Sequence, residues 1–116
     1  MSIRRLERSE WQDFCNRASH DLLGKAVAIE VSSLELGAQP ETQRLPLLGM
    51  SYDPQDDVFE LIVGDVDHLI RGPREVYVDE TPLVDSVTLQ FVDADGVKQI
   101  VTFRDPLMLP APSMAS

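Results

Sequence analysis

The chain divides into a short stretch of helical period followed by a long stretch of period two. Trp11, Phe14, Cys15, Ala18, Leu22 and Leu23 recur at helical spacing, which predicts a helix from Glu10 to Leu23 with one apolar face. Ser9 followed by Gln12 fits a capping box at its start, and Gly24 fits a left-handed stop. Beyond Lys25, apolar residues alternate with polar ones. Val27, Ile29 and Val31 share one phase and Leu34 and Leu36 the other, so a bulge near Ser32-Ser33 is expected.

Gly37 to Gln43 reads as a polar loop. A second strand follows from Leu45 through Leu47 and Met50 to Tyr52, with Pro46 marking an edge or an irregular start. Asp53-Pro54-Gln55-Asp56-Asp57 reads as a turn, and Val58–Val63 as a mostly apolar strand ended by Gly64. Asp65 to Pro73 reads as an irregular link with one helical turn over Asp67–Arg71. Glu75–Glu80 alternates around Val76 and Val78 and closes at Thr81-Pro82. Val87, Leu89 and Phe91 form the fifth strand and Val97–Phe103 the sixth, joined by the hairpin signal Asp95-Gly96. From Asp105 the period is lost among Pro106, Pro110 and Pro112. The expected architecture is α+β: one N-terminal helix packed on a curved antiparallel sheet of five or six strands, open or curled toward a half-barrel. Residues 1–109 make one domain, and 110–116 a loose Pro/Ala/Ser tail.

Composition narrows the function classes. Ten basic side chains stand against 20 carboxylates in 116 residues, a formal net charge of -10. Such a surface repels phosphate backbones and anionic lipid, so neither nucleic acid nor membrane is an expected partner. The arginines of the first 25 residues are nearly balanced by Glu7, Glu10, Asp13 and Asp21. No apolar run approaches the roughly 20 residues of a membrane-spanning helix, and the charged N-terminus lacks a signal-peptide pattern. With Cys15 alone, no intramolecular disulfide can form, and the chain reads as cytoplasmic.

Several segments occur together in a familiar order: Arg8-Ser9-Glu10-Trp11, Leu45-Pro46-Leu47-Leu48-Gly49, Tyr52-Asp53-Pro54, Asp67-His68-Leu69-Ile70, Pro73-Arg74-Glu75-Val76-Tyr77-Val78-Asp79-Glu80, Gln99-Ile100-Val101 and Arg104-Asp105-Pro106-Leu107. In this arrangement the chain resembles a bacterial family known only as a domain of unknown function (number 5335). The resemblance covers nearly the whole chain and implies a bacterial origin and a stand-alone domain, with no activity, ligand or catalytic residue attached.

The residues richest in chemistry lie between Asp65 and Tyr77. Were Asp67–Arg71 a helical turn, His68 and Arg71 would share a side and, with Arg74 and Tyr77, could face a small anion. The alternative pairs Asp67 with Arg71 in solvent and leaves Arg74 and Glu75 bridging strands. Cys15 belongs to the apolar stripe, where a thiol is inert packing. The aspartates at 53, 56, 57, 93 and 95 offer hard oxygen ligands, but aspartate also satisfies turn amides, so no metal is assigned. Trp11 could anchor an interface or pack in the core. No cofactor motif is present, and no catalytic residue is assigned. By elimination, the sequence favours a non-catalytic interaction or regulatory module that binds a protein or self-associates, with a homodimer through an exposed sheet edge as one form. The alternative is a small-anion sensor or minor enzyme around His68, Arg71 and Arg74.

Overall fold

The computed structural model describes the backbone of residues 2–33, 37–81 and 86–104. The order of elements is β1 (Ser2–Leu6), a 3-10 turn (Arg8–Glu10), α1 (Trp11–Asp21), β2 (Ala26–Ser33), β3 (Gly37–Asp53), β4 (Val58–Val63), β5 (Val66–Arg71), β6 (Pro73–Thr81), β7 (Ser86–Asp93) and β8 (Lys98–Arg104). The class is α+β, as the patterning predicts, but the sheet has eight strands rather than five or six. Its order is β1-β6-β7-β8-β2-β3-β4-β5, with antiparallel pairing throughout, so it is open, with β1 and β5 at its edges. The expected tail at 110–116, and Leu34 and Leu36, lie outside the described residues.

Helix α1 is shorter than predicted. Its first turn tightens into the 3-10 segment, and the reciprocal cap uses Glu7 and Glu10 in place of Ser9 and Gln12. The Glu7 N–H donates to Glu10 Oε1 at 3.3 Å. Gly24, at φ +83°, turns the chain back toward the sheet, and its N–H donates to the Leu47 carbonyl at 2.9 Å.

Strand β3 is the organising element. Its first part, through Pro46, pairs with β2; from Leu47 it pairs with β4. Pro46 therefore sits at the hand-over between two partners, where a missing N–H costs no ladder bond. The stretch read as a polar loop, Gly37 to Gln43, is part of this strand: pairing with β2 overrides its weak propensity. The irregularities of β2 fall between Val27 and Glu30, upstream of Ser32-Ser33. Where β2 leaves β3, α1 covers the vacated edge, and the Met50 N–H donates to Ser19 Oγ at 3.0 Å.

The inner faces of the curled sheet meet in one core. Val27, Ile29, Leu47, Phe59, Leu61, Val63, Ile70, Val76, Leu89, Phe91, Val101 and Phe103 are all buried there, with Trp11, Cys15, Ala18 and Leu22 from the helix. Phe59 of β4 lies 4.9 Å from Phe91 of β7, centroid to centroid, so strands far apart in sheet order face each other across the interior. The apolar helical stripe and the period-two strands thus bury a shared apolar surface, which is the main stabilising term.

Candidate functional site

The segment expected to form a helical turn, Asp67–Arg71, is strand β5. This alters the geometry of the predicted anion site. Residues three apart share a side of a helix but point to opposite faces of a strand. His68 faces inward, opposite Leu61, and donates from Nε2 to Gln99 Oε1 of β8. Arg71 faces outward, opposite Val58, and is exposed. Tyr77, in β6, donates its hydroxyl to Glu75 Oε1 at 2.6 Å, and that carboxylate pushes the phenol pKa up. Arg74 is exposed and lies close enough to Asp57 to help hold its carboxyl in the charged form. His68, Arg71 and Tyr77 are thus not brought together, and each of the first and last already has a partner within the chain.

Trp11 is 1% exposed. Its ring lies 5.2 Å from Tyr52 and 5.3 Å from Phe59, and its Nε1–H donates to the Leu6 carbonyl at 3.3 Å. The residue is core packing in this fold, and the apolar phase of α1 explains why.

The structure assembles a different polar cluster. The Arg8 guanidinium lies 4.4 Å over the Trp11 ring. Its Nη1 donates to the Tyr52 hydroxyl at 3.1 Å and to Asp57 Oδ1 at 3.0 Å, and its Nη2 donates to the Pro73 carbonyl at 3.0 Å. Tyr52 also donates to Asp57 Oδ1. The Tyr52 hydrogen bond, followed by Arg8, holds the Asp57 carboxyl below the usual aspartate range despite partial desolvation. One arginine so ties the 3-10 turn to the β3–β4 turn and to the start of β6. Sequence reading places Asp57 in a turn but carries no signal for a partner 49 positions away. Both terminal nitrogens of Arg8 and the Tyr52 hydroxyl donate to acceptors within the chain, which makes the cluster a fastener.

Two of the other turn aspartates, Asp53 and Asp93, cap turn amides. Asp53 Oδ1 accepts from the Gln55 N–H at 2.9 Å, and Asp93 Oδ1 accepts from the N–H groups of Asp95 and Val97 at 2.9 and 3.0 Å. Among the described residues, no three His, Cys, Asp or Glu side chains are grouped to hold a metal ion. Cys15 is buried, and desolvation pushes its thiol up to about 12, far from a reactive thiolate.

What stands open is the outer side of β3, β4 and β5. Leu61 and Val63 point into the core, so Glu60 and Ile62 point out. The bulge between Leu47 and Gly49 leaves Leu48 unpaired next to Gly49, which lies opposite Ile62. On β5, Asp67 lies opposite Ile62, and Leu69 lies opposite Glu60. Leu48, Ile62 and Leu69 are 53%, 38% and 39% exposed. Glu60 and Asp67 are diagonal neighbours, and the second carboxylate raises the pKa of the first through a shared hydrogen bond and repulsion.

Comparison with known proteins gives a family without an assigned activity. The sequence model of a family of unknown function, DUF5335, matches residues 2–112. A protein of Aquifex aeolicus described as uncharacterized is 36% identical over 111 residues, covering 95% of this chain and 99% of the relative. No solved structure matches the chain.

Proposed function

We propose that this chain, which belongs to the family of unknown function DUF5335, is a non-catalytic module that binds a protein partner. The observation that carries this reading is the contrast between its polar and apolar groups. His68, Tyr77, Arg8, Asp53, Asp57 and Asp93 make hydrogen bonds inside the chain, while Leu48, Ile62 and Leu69 stay exposed on the outer side of β3–β5. A sheet face with several exposed large apolar side chains set among carboxylates is a feature of interaction surfaces. The buried, unactivated thiol of Cys15 supports a role other than covalent catalysis. No helix among the described residues is long and apolar enough to cross a membrane, and the single thiol fits a reducing cytoplasm.

A small anion at Arg74 is the competing reading, supported by the exposure of that guanidinium beside Asp57. The two are separated by comparing size and ligand response. In an extract of its source cells, the chain should elute as a species much larger than its 13.0 kDa, whereas the purified chain elutes alone or as a small homo-oligomer. Identical elution in both, with a melting temperature raised by phosphate or a small carboxylate and not in Arg74→Ala, would replace this reading with the sensor.

A further inference from the structure

We propose that the outer face of β3–β5, with Leu48, Ile62 and Leu69 around Glu60 and Asp67, docks a basic apolar segment of a partner protein whose lysine or arginine sits between the two carboxylates. The inference rests on the interaction-module reading and gives it a surface and a chemistry.

The apolar part comes from register. Gly49, Ile62 and Asp67 follow one another across three strands, with the bulged Leu48 next to Gly49, and Ser51, Glu60 and Leu69 form the adjoining row. Ile62 and Leu69 therefore stand on either side of the carboxylate pair, and Leu48 projects from the bulge next to the Gly49–Ile62 pair, so that exposed apolar side chains surround the two charges. Ile62 and Leu69 flank the carboxylates diagonally, so a group reaching the carboxylates must lie over both.

The charged part comes from an unbalanced pair. Like charges at diagonal positions of an antiparallel pair repel, and a surface strand pair normally sets a cation there. Among the described residues the Arg–carboxylate ion pairs are Arg4 with Glu10 and Arg8 with Asp57, and His20 lies against Asp21; neither Glu60 nor Asp67 takes part. Arg71 follows Leu69 on the same face but lies opposite Val58 and outside ion-pair distance of both carboxylates. A partner's ammonium or guanidinium neutralises the pair, and apolar residues beside it cover Leu48, Ile62 and Leu69.

A second copy of the chain is a poor occupant. Stacking this face on itself brings two further carboxylates against the first two, between molecules that each carry a formal charge of -10. A basic partner gains from both the local pair and the overall field, which speeds encounter.

The test uses the full chain, with amide NMR spectra followed during titration with a short synthetic peptide of alternating leucine and lysine, and with its leucine–glutamate counterpart. The leucine–lysine peptide should shift the amides of Leu48, Glu60, Ile62, Asp67 and Leu69. The combined substitution Glu60→Gln, Asp67→Asn should weaken it roughly tenfold, and the counterpart should shift nothing. Both substituted positions are on the surface and repel each other, so the variant keeps the fold. Shifts centred elsewhere, an affinity unchanged by the substitutions, or no binding at all would overturn this surface. A chain that fails here yet elutes as a large complex in extract loses the surface and keeps the interaction reading; one that fails both loses both.

Discussion

The hydroxyl of Tyr52 donates to Asp57 Oδ1 at 2.7 Å, and Asp57 itself stands at φ +54°, in the left-handed region that disfavours most side chains. The carboxylate is held there by Tyr52 and Arg8, which offset the backbone strain. Asp57→Ala combines left-handed strain with the loss of an acceptor for a buried hydroxyl and should cost about 1–3 kcal/mol. Asp57→Asn keeps an acceptor and tolerates the conformation, so it should cost less, under about 1 kcal/mol. Urea unfolding midpoints at constant slope measure both.

Asp57 and Glu60 give opposite pH dependences. The Tyr52 hydrogen bond holds the Asp57 value below that of the unfolded chain, so its stabilisation is complete above the ordinary aspartate range and is lost as pH falls through the folded value. Asp67 raises the Glu60 value, so the folded chain holds that proton to higher pH, and stability declines as pH rises from the ordinary glutamate range through the folded value. Melting temperature against pH should therefore flatten on the acid side in Asp57→Asn. Glu60→Gln should remove the decline above the glutamate range and raise the melting temperature at neutral pH.

Cys15 should not react with a disulfide-exchange reagent at neutral pH in the native chain and should react fully once unfolded. Its thiol is buried among core side chains and pushed up to about 12, leaving almost no thiolate. Rapid native labelling would show that α1 opens far more readily than its packing implies.

Gly64 joins β4 to β5 at φ +57°, and a Cβ there would come within 3.2 Å of Leu45 Cβ. Gly64→Ala should cost about 1–3 kcal/mol from left-handed strain and crowding. Because this turn sets the register that places Asp67 opposite Ile62, differential melting of the variant also checks the β4–β5 pairing.

Much of the fold is legible in the residues because burial and period coincide. Trp11, Cys15, Ala18 and Leu22 mark α1, and Val76/Val78, Leu89/Phe91 and Val101/Phe103 mark strands that bury one face. The edge strands β1 and β5 escape the same reading. Each buries a single large apolar side chain, Leu6 or Ile70, so hydrophobic alternation is too weak to declare them. The dipeptide Gly64-Asp65 between Val63 and Val66 is the sequence signal for the β4–β5 hairpin. The candidate site fared worse because it depended on that element: as a strand, β5 sends His68 and Arg71 to opposite faces. Leu69 falls beside Glu60 only once the Gly64-Asp65 turn is read as a hairpin, and Arg8 beside Asp57 is a relation between distant segments that no local pattern encodes.

The most direct test of the account is photo-crosslinking in source cells with a photoreactive phenylalanine analogue at position 62, the centre of the outer face. One adduct of discrete mass is expected, lost when Glu60→Gln and Asp67→Asn are added. An adduct that persists in that background, or none at 62 while a position on the outer side of β7 such as 88 gives one, would contradict it.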